Sequence, residues 1–205
     1  MRMPPKWVWT CIPPSNVSPL WNIELSATKD ITSFSVKFKQ LVSFAALQLK
    51  TGQDLRLGTT ALPFPLASVV VVDGSINRMR SLDGIQVFSN VRELRLSLNQ
   101  SLTWLWHPNT LTHLDVTGNN IASLAGVDAC RSCLHVLNVS ENKLVSLDGV
   151  QHLLQYVASV VLGLPNLDDV SFANNPVADC ALYRMRLCQH PRLRVLDHKT
   201  VRCRI

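Results

Sequence analysis

LNVSENKLVSLDGV, residues 137–150, decides the fold, because it can be read in two incompatible ways. Asn138-Val139-Ser140 matches the acceptor pattern for N-glycosylation, which belongs to surface loops of secreted chains. The same residues fit a strand in which Leu137 and Val139 point inward while Asn138 and Ser140 point outward, following the two-residue period of extended chain. Recurrence separates the readings. With Leu134, Leu137, Val139, Asn142, Leu144 and Leu147 set on the template LxxLxLxxNxLxxL, residues Leu111, Leu114, Val116, Asn119, Ile121 and Leu124 match in full. Val91, Leu94, Leu96 and Asn99 match, with Ser101 in an apolar slot. Leu167, Val170, Phe172, Asn175 and Val177 match, with Pro176 after the Asn. Val69, Val72, Asn77, Met79 and Leu82 match, with Gly74 in a core place. The opening stretch therefore reads as strand, and the second sequon, Asn99-Gln100-Ser101, falls on a template Asn and is accidental.

The template resembles that of leucine-rich repeats. That resemblance implies an α/β fold: a right-handed leucine-rich repeat solenoid with a concave parallel sheet and short convex helices or turns. Asn77, Asn99, Asn119, Asn142 and Asn175 are expected to stack as a ladder, since an amide side chain can both donate to and accept from backbone groups that no strand partner reaches. First anchors fall at 69, 91, 111, 134, 167 and 193, in steps of 22, 20, 23, 33 and 26 residues. The long step contains Val150, Leu153, Leu154, Val157, Val160, Val161 and Leu164 at helical spacing, which predicts a helix over 149–163 on the convex side. Its expected role is core packing, with partner binding as the alternative. Leu82-Asp83-Gly84-Ile85 and Leu147-Asp148-Gly149-Val150 read as short returns.

At the C-terminus, Asn175-Pro176-Val177, Tyr183-Arg184, Pro191-Arg192-Leu193, Val195-Leu196-Asp197 and Val201 resemble the cap of intracellular leucine-rich proteins of the phosphatase-regulator-like subclass. A repeat stack needs such caps to cover its end. The domain reading is an irregular Pro/Trp-rich arm over 1–18, degenerate N-terminal repeats or a cap over 19–66, repeats over 67–177 and the C-terminal cap over 178–205. Pro4, Pro5, Pro13, Pro14 and Pro19 forbid a regular helix in the arm, and Trp7, Trp9 and Trp21 could cover the first repeat as a lid. Leu20, Ile23, Leu25 and Thr28, then Phe44, Leu47, Leu49 and Gly52, are the candidate degenerate repeats.

A hydrophobic fraction of 47% fits a buried core and argues against disorder. The first 25 residues lack a continuous apolar segment of the signal-peptide kind, and the apolar runs at 66–72 and 157–164 are too short to span a bilayer. Cytoplasmic residence is the expectation, with cytoskeleton or axoneme, nucleus and mitochondrion as alternatives. In that setting the cysteines are expected to be thiols. Cys130 and Cys133 have metal-ligand spacing, but register places Cys130 inward like Phe88 and Cys133 outward like Asn90, so no metal site and no cofactor is expected.

Function is expected on the concave face. The candidate partner-binding residues are Asp73, Glu93, Arg95, His113, Asp115, Val136, Asn138, Asp169 and Ser171, a row of mixed charge that suits a protein partner better than a phosphate backbone. The net charge of +6 gathers near the C-terminus in Arg184, Arg186, Arg192, Arg194 and Lys199, a basic end that could attract RNA or an acidic protein. The chain has no phosphate-binding Gly-rich loop, nucleophile elbow or HExxH motif. His113 and Asp115 share a strand face but lack a nucleophile. A non-enzymatic adaptor for a protein partner is the expectation, in a phosphatase-regulatory or dynein-associated setting by resemblance; a structural subunit of a ribonucleoprotein is the runner-up.

Overall fold

The protein is seen in a computed structural model that describes residues 6–11, 22–26, 32–50, 54–56, 68–100, 109–144 and 150–201. It is an α/β protein. Strands β1 (Lys6–Cys11), β2 (Asn22–Ser26), β4 (Leu47–Lys50) and β5 (Asp54–Arg56) form one antiparallel sheet in the order β2-β1-β4-β5. An open sheet of eight short strands carries the repeats. It runs β3 (Ser33–Ser35), β6 (Val71–Asp73), β7 (Glu93–Arg95), β8 (His113–Asp115), β9 (Val136–Asn138), β10 (Asp169–Ser171), β11 (Val195–Leu196) and β12 (Lys199–Thr200). Every neighbouring pair is parallel except β11 and β12.

Each repeat contributes one strand whose central residue points inward: Phe34, Val72, Leu94, Leu114, Leu137, Val170 and Leu196 are all buried. Strands this short have few ladder bonds of their own, so the turn after them must be held another way. The template Asn residues do this, and all five are buried. Asn119 Nδ2 donates to the Val116 carbonyl of its own repeat (2.7 Å) and the Leu96 carbonyl of the preceding one (3.1 Å). Asn77, Asn99, Asn142 and Asn175 repeat that double contact. Their Oδ1 atoms accept backbone N–H groups of the preceding repeat, as from Met79 to Asn99 (3.0 Å) and from Ile121 to Asn142 (2.9 Å). A buried amide joined to both repeats in this way stabilises the stack because unpaired backbone groups there would cost about 1–3 kcal/mol each.

The stack begins before Val69, within the 19–66 segment, but in a register other than the two candidates read there. Phe34, Val36, Leu41 and Phe44 fill the template's apolar slots and are buried, with Lys39 where later repeats have Asn. The substitution has a physical reason: each Asn serves the repeat before it, and among the described residues β3 is the edge of the repeat sheet. Asn77 closes this first repeat by accepting the N–H groups of Lys39 (2.9 Å) and Leu41 (3.0 Å).

Two expectations for the N-terminal region are corrected. Residues 6–11, read as part of an irregular arm, form a strand; the proline pairs at 4–5 and 13–14 flank it rather than interrupt it, and Trp7, Val8, Trp9 and Thr10 favour extended chain. The candidate degenerate repeats around 20–28 and 44–52 supply β2 and β4, which pair antiparallel with β1 and lie outside the repeat sheet. Their spacing matched the period by coincidence. The side chains of Trp7, Trp9 and Trp21, read as a lid, lie outside the described residues.

Returns between strands are single turns, such as Ile85–Val87 and Val127–Cys130. Gly84 opens the first with φ 90°, and a Cβ there would stand 2.5 Å from the backbone nitrogen of Ala45. That nitrogen donates to the Asp83 carbonyl at 2.6 Å, so two repeats touch main chain to main chain. Gly74, in a core slot, is filled from outside: a Cβ would meet Met79 Cε at 2.8 Å and the Phe44 ring at 3.1 Å. Helix α1 (Val150–Leu162) lies one residue inside each predicted end. It buries Leu154, Val157, Ala158 and Val161, one face of a 3.6-residue period.

The C-terminal residues singled out by their resemblance make a coherent end. Helix α2 (Tyr183–Leu187) buries Tyr183 edge-on against Phe172, with centroids 6.5 Å apart. Tyr183 Oη donates to Asp197 Oδ1 (3.1 Å), and the same oxygen accepts the Phe172 N–H (2.9 Å). Burial first, then the Asp197 carboxylate, pushes the Tyr183 hydroxyl far above its ordinary value, so it stays a donor. Arg184 Nη1 lies 3.5 Å from the Leu196 carbonyl.

Candidate functional face

Parallel register sorts the outward strand residues into rows. Glu93, His113, Val136 and Asp169 are paired in sequence across β7 to β10 and form the first row. Asp73, Arg95, Asp115, Asn138 and Ser171 form the second. All nine predicted face residues therefore fall on one sheet surface, and the structure brings them together.

The two rows differ in what they have left to offer. Asp73 is only 6% exposed; its carboxylate pairs with Lys37 Nζ (2.8 Å) and accepts the Ser75 N–H (3.1 Å). Burial works to raise its pKa, but the Lys37 hydrogen bond and Ser75 outweigh this and hold it below the usual value. Asp115 accepts from Ser97 Oγ (2.9 Å), Thr117 Oγ1 (2.7 Å) and Thr117 N–H (3.0 Å). Asn138 Oδ1 accepts from Ser140 Oγ (2.8 Å), and Ser171, 2% exposed, shares a hydrogen bond with Ser140 (2.7 Å). This second row, Arg95 apart, is a hydrogen-bonded rail that stiffens the sheet. Its partners Ser97, Thr117 and Ser140 are outward positions of the same face by the two-residue period, each two residues after a second-row residue, whereas Lys37, two residues after Ser35, was not singled out in sequence.

The first row faces outward with fewer commitments. His113 is exposed, with Nδ1 2.9 Å from Thr112 Oγ1. Glu93 meets Arg95, whose Nε donates to Glu93 Oε1 at 2.6 Å. Burial raises the Asp169 carboxyl, with His198 opposing. Glu93, Arg95, His113, Asp115, Val136 and Asn138 line a depression of about 170 Å³. That is below the roughly 300–1,000 Å³ of small-molecule sites, and matches one or two side chains of a partner. The His113–Asp115 pair is not assembled for acid-base work, since Asp115 is engaged by Ser97 and Thr117.

The basic end does not form one patch. Arg184 turns to the Leu196 carbonyl, and Arg186 lines a hollow of about 430 Å³ with Leu154, Ala158 and Leu162 of α1. Arg192 and Arg194 approach Asp168 at 3.9 and 4.0 Å, and Lys199 is exposed on β12. Asp168, overlooked in sequence, also holds His135 Nδ1 at 3.0 Å. The His135 hydrogen bond first, then Arg192 and Arg194, hold its pKa low against the effect of burial. Cys130 is buried, and Cys133 Sγ lies 3.5 Å from the Cys130 carbonyl. Among the described residues no helix is long and apolar enough to cross a membrane.

The fold and face thus define an α/β stack of repeats presenting one polar sheet surface. No protein-family model matches the chain. Over 135 residues, 64% of its length, it is 31% identical to geranylgeranyl transferase type-2 subunit alpha of Sus scrofa and of Homo sapiens, and 32% identical to that of Mus musculus. The alignments cover 20% of each relative, so the chain spans about a fifth of the length of the curated relatives it matches.

Proposed function

We propose that this chain is a leucine-rich repeat module of the phosphatase-regulator-like subclass, acting as a non-enzymatic, cytoplasmic adaptor. Its concave sheet face receives a protein partner. The observation that carries the reading is the division of labour between the rows: the Asp73–Ser171 row rigidifies the sheet while Glu93, His113, Val136 and Asp169 project from it. A rigid face binds with little ordering cost. Similarity to a segment of a protein named as an enzyme subunit supports a role in association with other chains.

The test is affinity purification of the tagged chain from its own cells, with and without nuclease, alongside the double variant Glu93→Arg/Val136→Glu. Partners that survive nuclease and are lost with the variant are expected. Retention of every partner by the variant, or loss of all partners to nuclease, would overturn the proposal; the second outcome would move the site to the basic end.

A further inference from the structure

The residue just before each ladder position is left-handed in all six described repeats. Phe38, Ile76, Leu98, Gly118, Glu141 and Asn174 have φ of 57°, 57°, 55°, 65°, 56° and 57°. The turn imposes this, because the N–H of each of the first five donates to the next repeat, as from Ile76 to Ser97 O (2.8 Å) and from Leu98 to Thr117 O (2.8 Å). Gly and Asn take such a backbone readily, whereas a β-branched or bulky residue is strained there. The first three repeats nevertheless carry Phe, Ile and Leu. Their side chains do not repay the strain by burial: Phe38 is 70% exposed, Leu98 52% and Ile76 36%. Leu98 lies across Gly118, where a Cβ would stand 2.6 Å from its Cδ2.

We propose that Phe38, Ile76 and Leu98 form a docking ridge for an acidic amphipathic helix of a protein partner, separate from the sheet face and independent of what that face holds. Three features of the ridge point to this occupant. Neighbouring repeats are separated by about 4.8 Å, so the ridge presents an apolar group at that interval over roughly 10 Å. A helix with apolar residues at i, i+3 or i+4, and i+7 repeats every 4.5 to 6 Å or so along its axis, which keeps step with the ridge. An extended chain presents one face only every ~6.8 Å and falls out of step. The segments 36–43, 74–80 and 96–100 around the ridge contain no Asp or Glu; Lys37 is paired with Asp73, and Lys39, Arg78 and Arg80 keep the surroundings positive. The partner's polar flank must then be acidic. Glu141, two repeats beyond Leu98, bounds the footprint at the other end.

The test uses two synthetic peptides of about 18 residues, long enough to form a helix when bound. They share one leucine face and differ only in carrying Glu or Lys beside it. Binding to the full chain is read by fluorescence anisotropy. The Glu peptide is expected to bind about tenfold or more tighter than the Lys peptide, and to lose about tenfold or more on the triple variant Phe38→Asn/Ile76→Asn/Leu98→Asn. That variant keeps the fold, because Asn already occupies this conformation at Asn174; an unchanged or raised thermal midpoint verifies it. Equal binding of the two peptides, equal binding to wild type and variant, or no binding by either peptide overturns the proposal. Ridge-dependent adsorption to vesicles of roughly 3:1 phosphatidylcholine to phosphatidylserine without peptide binding would also overturn it, assigning the ridge to a membrane surface.

Discussion

The first three repeats and the next three share a backbone and differ in what they hang on it. At the position before the ladder, Phe38, Ile76 and Leu98 stand in one half and Gly118, Glu141 and Asn174 in the other, with φ values spanning only 55° to 65°. Stacking geometry fixes the conformation in both halves, but it does not fix the residue. In the second half a small or polar residue meets the demand at low cost. The first half keeps apolar groups that neither the turn nor the core requires, so their chemistry is directed outward.

Breaking what the halves share should have the largest effect. Asn119→Ala orphans the N–H of Asn99 and takes one of two amide donors from each of the carbonyls of Leu96 and Val116, at an expected cost of about 3 kcal/mol. Urea denaturation measures it, and a loss below about 1 kcal/mol would mean that the ladder is not what joins the repeats. Next come two glycines. Gly84→Ala drives a Cβ into the main chain of Ala45, whereas Gly118→Ala meets only the flexible end of Leu98. The first should cost about 2–4 kcal/mol and the second about 1, so similar midpoints for the two variants would contradict the close backbone contact. A smaller effect carries the opposite sign. Ile76→Asn should raise stability by about 1 kcal/mol and Asn174→Ile lower it by a like amount; shifts in the same direction would dissolve the contrast between the halves.

The pH dependence sharpens the comparison further. Asp73 in the first half has its carboxyl held low by Lys37, so its stabilisation is complete above the ordinary value of 3.8 and is lost as pH falls through the lower folded value. Asp168 in the second half follows the same sign through His135. Asp169 runs the other way: its raised carboxyl ionises later in the folded chain, so stability declines as pH rises into its titration. Lys37→Met should shrink the acid-side loss and Asp169→Asn should remove the decline at higher pH. Stability curves against pH that neither variant changes would show that these pairs are not coupled to folding.

Much of this was legible in sequence, and the illegible parts have reasons. Repeats from Val69 onward could be read because apolar slots and the Asn recur together, and α1 because Leu154, Val157 and Val161 keep one face. The first repeat escaped because Lys39 stands where the pattern asks for Asn, and only the edge position of β3 explains why it can. All the face residues could be assigned to one side of the strand by the two-residue period. Which of them were engaged could not, because Ser97 reaching Asp115 and Ser140 reaching Ser171 are contacts between repeats that no single repeat encodes. The apolar ridge was visible as letters, but its meaning depends on φ, which the template does not state.

The ladder also gives the stack a direction. Each Asn reaches back to the repeat before it, and Asp197 takes over at the last rung by accepting the Phe172 N–H. Removing a coil from either side breaks main-chain hydrogen bonds, but only removal from the C-terminal side also takes away the Asn Oδ1 that holds N–H groups of the preceding turn. The ladder is thus polar: the turn after each strand is completed only when the next repeat is in place.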